Sequence, residues 1–266
     1  MKLFFDKLFK LFFLASCLSI VFLSCNKSDT PNPEDKNSGC DCDKKYGSFT
    51  DKRDKHVYKT IKIGAQTWMA ENLAYLPAIN SPEEGSYTKP FYYVQGYEGR
   101  DSVSLARAKV LDNYFDYGVL YNWIAAIKVC PSGWHLPKDA EWEIMENFLI
   151  DKGYGYGGRG EDIAKSLASC DFWECPDNDC QEEAVGFEPE RNDSSCFSAL
   201  PGGYFFYAEG GNLQGFYALG THCYWWSSVE KDKTGAYAWW FSSYRSDLER
   251  GESEKGEGFS VRCIKD

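Results

Sequence analysis

The sequence predicts an α+β fold of short antiparallel strands, a few helices and long loops. Three observations carry this reading. Apolar residues alternate with period two near both ends of residues 46–266, two apolar stripes of helical period lie between them, and a glycine-rich turn, GYGYGGRG (153–160), punctuates the middle. In order, Val57–Ile63 places Ile61 and Ile63 on one face and Tyr58, Thr60 and Lys62 on the other. Gly64-Ala65 then suits a two-residue hairpin turn into Gln66–Met69. Residues 118–129 carry Trp123, Ala126 and Ile127 at helical spacing. A second helix is predicted over 139–150, with Trp142, Met145, Phe148 and Leu149 in one stripe, and a short third over 162–168. Strands are predicted over 197–204, 224–228, 237–244 and 259–264; in the last, Phe259, Val261 and Cys263 share a face.

Composition narrows the function. Lys and Arg total 29 against 40 Asp and Glu, a formal charge of −11, which is the wrong sign for neutralising phosphates and excludes nucleic acid as a partner. With 9 Trp, 18 Tyr and 18 Phe and only 26% charged residues, most of the chain must fold. The 11 cysteines point to an oxidising compartment with disulfides, while three scattered histidines do not suggest a metal site.

The N-terminus carries Lys2, Lys7 and Lys10 and then an uncharged apolar run, 11–24, too short to span a bilayer but suited to an export signal. Phe22-Leu23-Ser24-Cys25 followed by a polar stretch resembles a bacterial lipoprotein signal, in which 1–24 is removed and Cys25 is lipidated. Leu14-Ala15-Ser16-Cys17 fits the lipobox better residue for residue, but segment length favours Cys25, and a plain secretory signal is the third reading. Removing 1–24 takes away three lysines and one aspartate, so the mature charge falls to −13. Residues 25–45 read as a flexible polar tether and 46–266 as one domain, the whole exported to the outer membrane or cell surface and held there by its lipid anchor.

Five blocks then resemble one family in its order: YKTIKIGAQTWMAENLAYL (58–76), YGVLYNWIAAIKVCPSGWHLPKDAEWE (117–143), FSALPGGY (197–204), YWWSS (224–228) and GFSVRCIKD (258–266). They resemble the Fibrobacter succinogenes major paralogous domain. That resemblance implies a C-type-lectin-like fold, related also to the formylglycine-generating, sulfatase-modifying enzymes. It further implies a long-range disulfide, Cys130–Cys263, from a helix entrance to the last strand. Lys138 stands where such sequences often carry a capping Ser. Lysine cannot accept a backbone hydrogen bond, so the cap is expected from Asp139 or the helix starts one residue later.

Several chemical readings are weighed against plainer ones. The sulfatase-modifying chemistry needs a C-terminal cysteine pair for copper, and no cysteine lies between Tyr224 and Arg262, so an oxidoreductase is the disfavoured alternative and no cofactor is expected. Cys130 with His135, and His222 with Cys223, read as structural residues rather than nucleophile and base. Cys170, Cys175, Cys180, Cys196 and Cys223 read as disulfide partners in no derivable order, not as metal ligands. Outside Cys17 and Cys25 nine cysteines remain, an odd number, with Cys40 or Cys42 as the candidate left over. Glu188-Pro189-Glu190 and Asn192-Asp193 depart from the lectin calcium motif and read as a solvated acidic loop.

The aromatics carry the remaining signal. Trp225-Trp226 and Trp239-Trp240 are adjacent pairs on predicted strands, so one ring of each pair is expected inward and the other outward, where it can stack on a sugar or form an interface. Loops covering both sheet faces would bury them instead. With Tyr244, these four mark the candidate binding site. No catalytic residues and no metal site are assigned, and the expected function is non-enzymatic binding of carbohydrate or another surface protein, with a purely structural surface protein as the alternative.

Overall fold

The computed structural model describes residues 42–99, 104–158, 160–176, 179–208 and 214–266, so the expectations for Cys17, Cys25, Cys40 and the signal lie outside the described residues. In chain order the elements are β1 (Gly47–Thr50), β2 (Val57–Ile63), β3 (Gln66–Met69), β4 (Tyr92–Tyr93), α1 (Leu105–Ala108), α2 (Asp112–Tyr117), β5 (Leu120–Tyr121), α3 (Trp123–Val129), β6 (Trp134–His135), α4 (Asp139–Asp151), α5 (Ala164–Leu167), β7 (Gly202–Phe206), β8 (Gly215–Leu219), β9 (His222–Glu230), β10 (Gly235–Ser242), β11 (Glu249–Glu254) and β12 (Ile264–Lys265). Two five-stranded sheets run β1-β2-β3-β12-β6 and β11-β10-β9-β7-β8, and a two-stranded one joins β4 to β5. The fold is mixed, rich in sheet with few helices, as the α+β reading holds in outline.

Local chemistry accounts for the boundaries. The helix predicted over 118–129 begins only at Trp123, because extended Asn122 caps it through Oδ1 to the Ala125 N–H (3.1 Å) while Leu120 and Tyr121 pair with Tyr93 and Tyr92. Helix α4 starts at Asp139 with no side-chain cap from Lys138. The Asp139 carboxylate is instead engaged across the fold, accepting from Trp239 Nε1 (3.0 Å) and Arg250 (2.5 Å). Half of a capping box survives, as Glu141 Oε2 accepts the Lys138 N–H at 2.8 Å. The strand predicted over 197–204 starts at Gly202, since Ser198 adopts a left-handed φ of 53° that no strand accommodates. Of 259–264, only Ile264 extends into a ladder, paired with both Trp68 and His135; Phe259 and Ser260 make single bridges to Tyr121 and Trp225.

The sheets separate two buried clusters. One gathers Ile61, Ile63, Trp68, Trp142, Met145, Leu149, Trp225, Trp239 and Phe241; the other gathers Tyr58, Met69, Tyr121, Trp123, Trp226, Phe259 and Val261. Three disulfides join described residues. Cys130–Cys263 closes 133 residues and Cys42–Cys196 closes 154, each a constraint of about 4–5 kcal/mol on loop-entropy grounds, while Cys175–Cys180 staples the acidic insertion. Cys170 is also disulfide-bonded. Cys42 is therefore not the unpaired cysteine. Among the described residues the unpaired one is Cys223, fully enclosed, its thiol pushed up by burial and donating to the Phe241 carbonyl. Residues 42–45, read from sequence as the end of a tether, form a turn closed by Lys45 N–H to Cys42 O (2.9 Å) and pinned to the domain by Cys42–Cys196.

The five sequence blocks meet at one fully buried guanidinium. Arg262 donates through Nε to Asn72 Oδ1 (3.0 Å), through Nη2 to Ser198 O (2.6 Å) and through Nη1 to Phe197 O, with its ring-facing side over Phe197 at 4.5 Å. Asn72 in turn accepts from Trp225 Nε1 (3.1 Å) and donates to Tyr117 O (3.1 Å). One residue from each block thus satisfies a neighbour's buried polar group. The blocks encode a hydrogen-bonded keystone that fixes the left-handed turn at Ser198.

Candidate functional site

The structure divides the five predicted binding residues. Trp225, Trp226 and Trp239 are buried, and their indole N–H groups are spent inside the protein, on Asn72 Oδ1, Tyr121 O (2.7 Å) and Asp139 Oδ1. The expectation of one outward ring per pair is corrected for Trp225-Trp226, where both rings are enclosed, while in Trp239-Trp240 only Trp240 keeps part of its ring exposed. Neighbouring side chains do point to opposite faces, but at Trp225 and Trp226 both faces of β9 are covered by a core cluster. Tyr244 is 45% exposed and stands apart from the other four, beyond the end of β10. Trp240 alone among the tryptophans in question is half-buried, and its indole N–H has no acceptor among the described residues.

Trp240 opens a row of rings that crosses four strands. It lies opposite Tyr224 of β9 (ring centroids 5.7 Å, planes 23° apart); Tyr224 meets Tyr204 of β7 (5.1 Å), and Tyr204 stacks beside Tyr217 of β8 (5.8 Å). Cross-strand pairing at one strand spacing, about 4.8 Å, sets this periodicity. His222 lies parallel to Tyr224 at 6.1 Å, and Phe259 packs under it at 4.9 Å. Gly251 of β11 makes the row possible at its far end: a Cβ there would sit 2.4 Å from the Trp240 ring, so only glycine lets the indole lie over that strand. Sequence reasoning singled out Trp240 but missed Tyr204, Tyr217 and Tyr224. The signal available was three strands each offering a tyrosine on one parity; what was hidden was their register.

The row keeps polar atoms unspent. The hydroxyls of Tyr204 and Tyr224 have no hydrogen-bond partner among the described residues. Burial raises both phenols, with the charge of Glu257 contributing at each and that of Glu249 also at Tyr224. Glu257 is half-buried and accepts the Glu254 N–H (3.1 Å); burial, reinforced by Glu254, pushes its carboxyl up to about 7. Aromatic faces beside unspent donors and one carboxyl form a surface that can stack on and hydrogen-bond a polyhydroxylated ligand.

Two other clusters are structural by the same test. Asn192 and Asp193 are buried, which corrects the reading of a solvated acidic loop at those two residues, while Glu188 and Glu190 are exposed as that reading expects. Asp193 accepts from Ser198 N–H (2.8 Å) and Ser198 Oγ (2.5 Å), which in turn lies 2.5 Å from the Tyr46 hydroxyl, at the edge of a cavity of about 270 Å³. Burial pushes its carboxyl up to about 7. His135 is clasped between Glu141 Oε1 (2.9 Å) and Asp266 Oδ1 (2.7 Å); burial lowers its pKa, but the bonds to Asp266 and Glu141 outweigh that and raise it. Its former candidate partner Cys130 is locked in a disulfide. Among the described residues, no group of three or more His, Cys, Asp or Glu side chains is placed to hold a metal ion.

Residues 61–265 match the sequence profile of the Fibrobacter succinogenes major domain. The chain belongs to that family. The matched span contains the keystone around Arg262 and the whole ring row. No curated protein and no solved structure matches the chain.

Proposed function

We propose that this chain is an exported surface protein, anchored through a lipidated Cys25, whose family domain binds carbohydrate without catalysing a reaction, on a C-type-lectin-like scaffold. The observation that carries the binding reading is the row Trp240, Tyr224, Tyr204, Tyr217, in which the indole N–H and two phenol groups have no partner among the described residues. Rings with unused donors suit a sugar, whose C–H face stacks while its hydroxyls take hydrogen bonds. The scaffold reading is supported by the Cys130–Cys263 bridge and by β12 returning between β3 and β6. The anchor reading rests on the apolar run ending at Cys25.

The test is calorimetric titration of the mature chain with cello-, xylo- and chito-oligosaccharides. Binding that disappears in a folded Trp240→Ala/Tyr224→Ala variant is the expected result; no binding to any of the three classes by folded protein would reject carbohydrate recognition. Incorporation of labelled palmitate, lost in Cys25→Ser, checks the anchor.

A further inference from the structure

His222 stands one step along β9 from the ring row, with one ring nitrogen bonded and the other free. It pairs with Ser242 of β10 and lies two residues before Tyr224, hence on the same face; the two rings are parallel (4° between planes, centroids 6.1 Å). His222 Nδ1 is 3.0 Å from Thr221 Oγ1. The Thr221 hydroxyl has a single proton, which it donates to the Ala218 carbonyl (3.2 Å), so toward the imidazole this oxygen accepts. The proton of neutral His222 is thereby held on Nδ1, and Nε2 carries a lone pair. Nε2 has no hydrogen-bond partner among the described residues and is reached by solvent, since the side chain is half-buried and this atom is not enclosed. Among the open polar atoms of this face, the Trp240 indole only donates and the Tyr204 and Tyr224 phenols do either, whereas His222 Nε2 only accepts.

We propose that His222 is the specificity-determining residue of the ring row: its Nε2 accepts a hydroxyl of the saccharide stacked on Tyr224, and so fixes along β9 a ligand that the rings order only across the strands. This rests on the carbohydrate reading of the row. Stacking tolerates any sugar with an apolar face, while an acceptor of fixed place and tautomer rejects a ligand that brings no donor there. The groups around His222 keep its own protonation the variable. Tyr224 and Cys223 on β9 are both pushed up by burial, β10 offers Ser242, and β7 brings Gly203 opposite Cys223. Three carboxylates lie in the neighbourhood: Glu174 against Gly220 of the preceding turn, Glu249 paired with Arg245, and Glu257, whose charge acts on Tyr224. None of them contributes at His222, whose pKa is lowered by burial alone, so the imidazole is neutral at neutral pH.

The experiment has two readouts. Long-range proton–nitrogen correlation on nitrogen-15-labelled protein at about pH 7.5 reads the tautomers of the three histidines, with His222 assigned from the His222→Gln spectrum. The expected state is Nδ1 protonated and Nε2 bare; a proton on Nε2 overturns the proposal whatever the ligand. Calorimetry with the cello-, xylo- and chito-oligosaccharides then compares wild type, His222→Phe and His222→Gln between about pH 4.5 and 7.5. His222→Phe keeps a ring beside Tyr224 but no acceptor, and should bind about 3- to 10-fold more weakly at neutral pH, the range for one neutral hydrogen bond. His222→Gln keeps an acceptor that does not titrate, so it should retain the neutral-pH affinity, and wild type should weaken relative to it by about 3- to 10-fold as the imidazole gains its second proton on Nε2. Near-UV circular dichroism confirms folding of each. If His222→Phe binds like wild type, or the wild-type and His222→Gln profiles coincide, this assignment fails while the ring row stands. If folded wild type binds none of the three classes, the row's reading and this assignment fall together.

Discussion

Replacing Asp193 by Asn tests how the turn beneath the 270 Å³ cavity is held, and its outcome depends on pH in a calculable way. Burial raises the Asp193 carboxyl from 3.8 to about 7, a difference of about three units, or roughly 4 kcal/mol at about 1.4 kcal/mol per unit. The folded state therefore binds the proton more tightly than the unfolded chain. That stabilisation is fully present below the unfolded value of 3.8 and is lost as pH rises through about 7, above which the loss is constant. An amide carries no charge yet still accepts the Ser198 N–H, and the Ser198 hydroxyl can rotate to accept from it. Asp193→Asn should therefore be near-isostable with wild type at about pH 4 and more stable by about 2–4 kcal/mol above pH 7, after allowing about 1 kcal/mol for the weaker hydrogen bond. Urea unfolding followed by tryptophan fluorescence, without reductant and from pH 4 to 8, measures it. A stability difference that does not change with pH, or one that favours wild type more as pH rises, would refute the reasoning that burial outweighs the Ser198 hydrogen bonds and keeps the Asp193 carboxyl protonated more readily than in the unfolded chain.

Three further outcomes follow from the same geometry. Arg262→Met should cost about 3–5 kcal/mol by urea midpoint, because Phe197 O, Ser198 O and part of Asn72 are left buried without a donor. Cys130→Ser/Cys263→Ser should lower stability by about 2–5 kcal/mol, with the loss visible as a shift in thermal midpoint under non-reducing conditions. For His135 the folded pKa is raised, so its clasp of Glu141 and Asp266 is complete below its ordinary 6.5 and weakens as pH rises through the folded value; at 37% side-chain exposure, His135→Asn should remove no more than about 1 kcal/mol, and only on the acid side of a pH–stability profile.

Much of the fold was legible because periodicity reports which face of an element meets a core. The stripe Trp142, Met145, Leu149 is buried on α4, and Phe259, Val261 and Cys263 do share one buried face. Where no apolar pattern exists, nothing could be read: β11 is Glu249–Glu254, ERGESE, and is a strand only because β10 pairs with it. Two-residue strands such as β4, β5 and β6 leave no period to detect. The candidate site was half legible. Adjacent tryptophans do alternate in direction, but which direction meets water depends on what covers the sheet.

The sequence by itself determined the excess acidity, the odd cysteine number and the family blocks, since each is a property of residue types and their order. Tertiary structure decided which of the described cysteines stays unpaired, which tryptophans are core, and which rings join Trp240. Those outcomes depend on register between strands far apart in the chain: Trp240 meets Tyr224 by a hairpin, but Tyr224 meets Tyr204 only because β7 runs parallel to β9 with Gly203 opposite Cys223. The same long-range closure buries Arg262 against residues 65 and 190 positions away, turning a residue type ordinarily found at the surface into the group that holds the fold's left-handed turn in place.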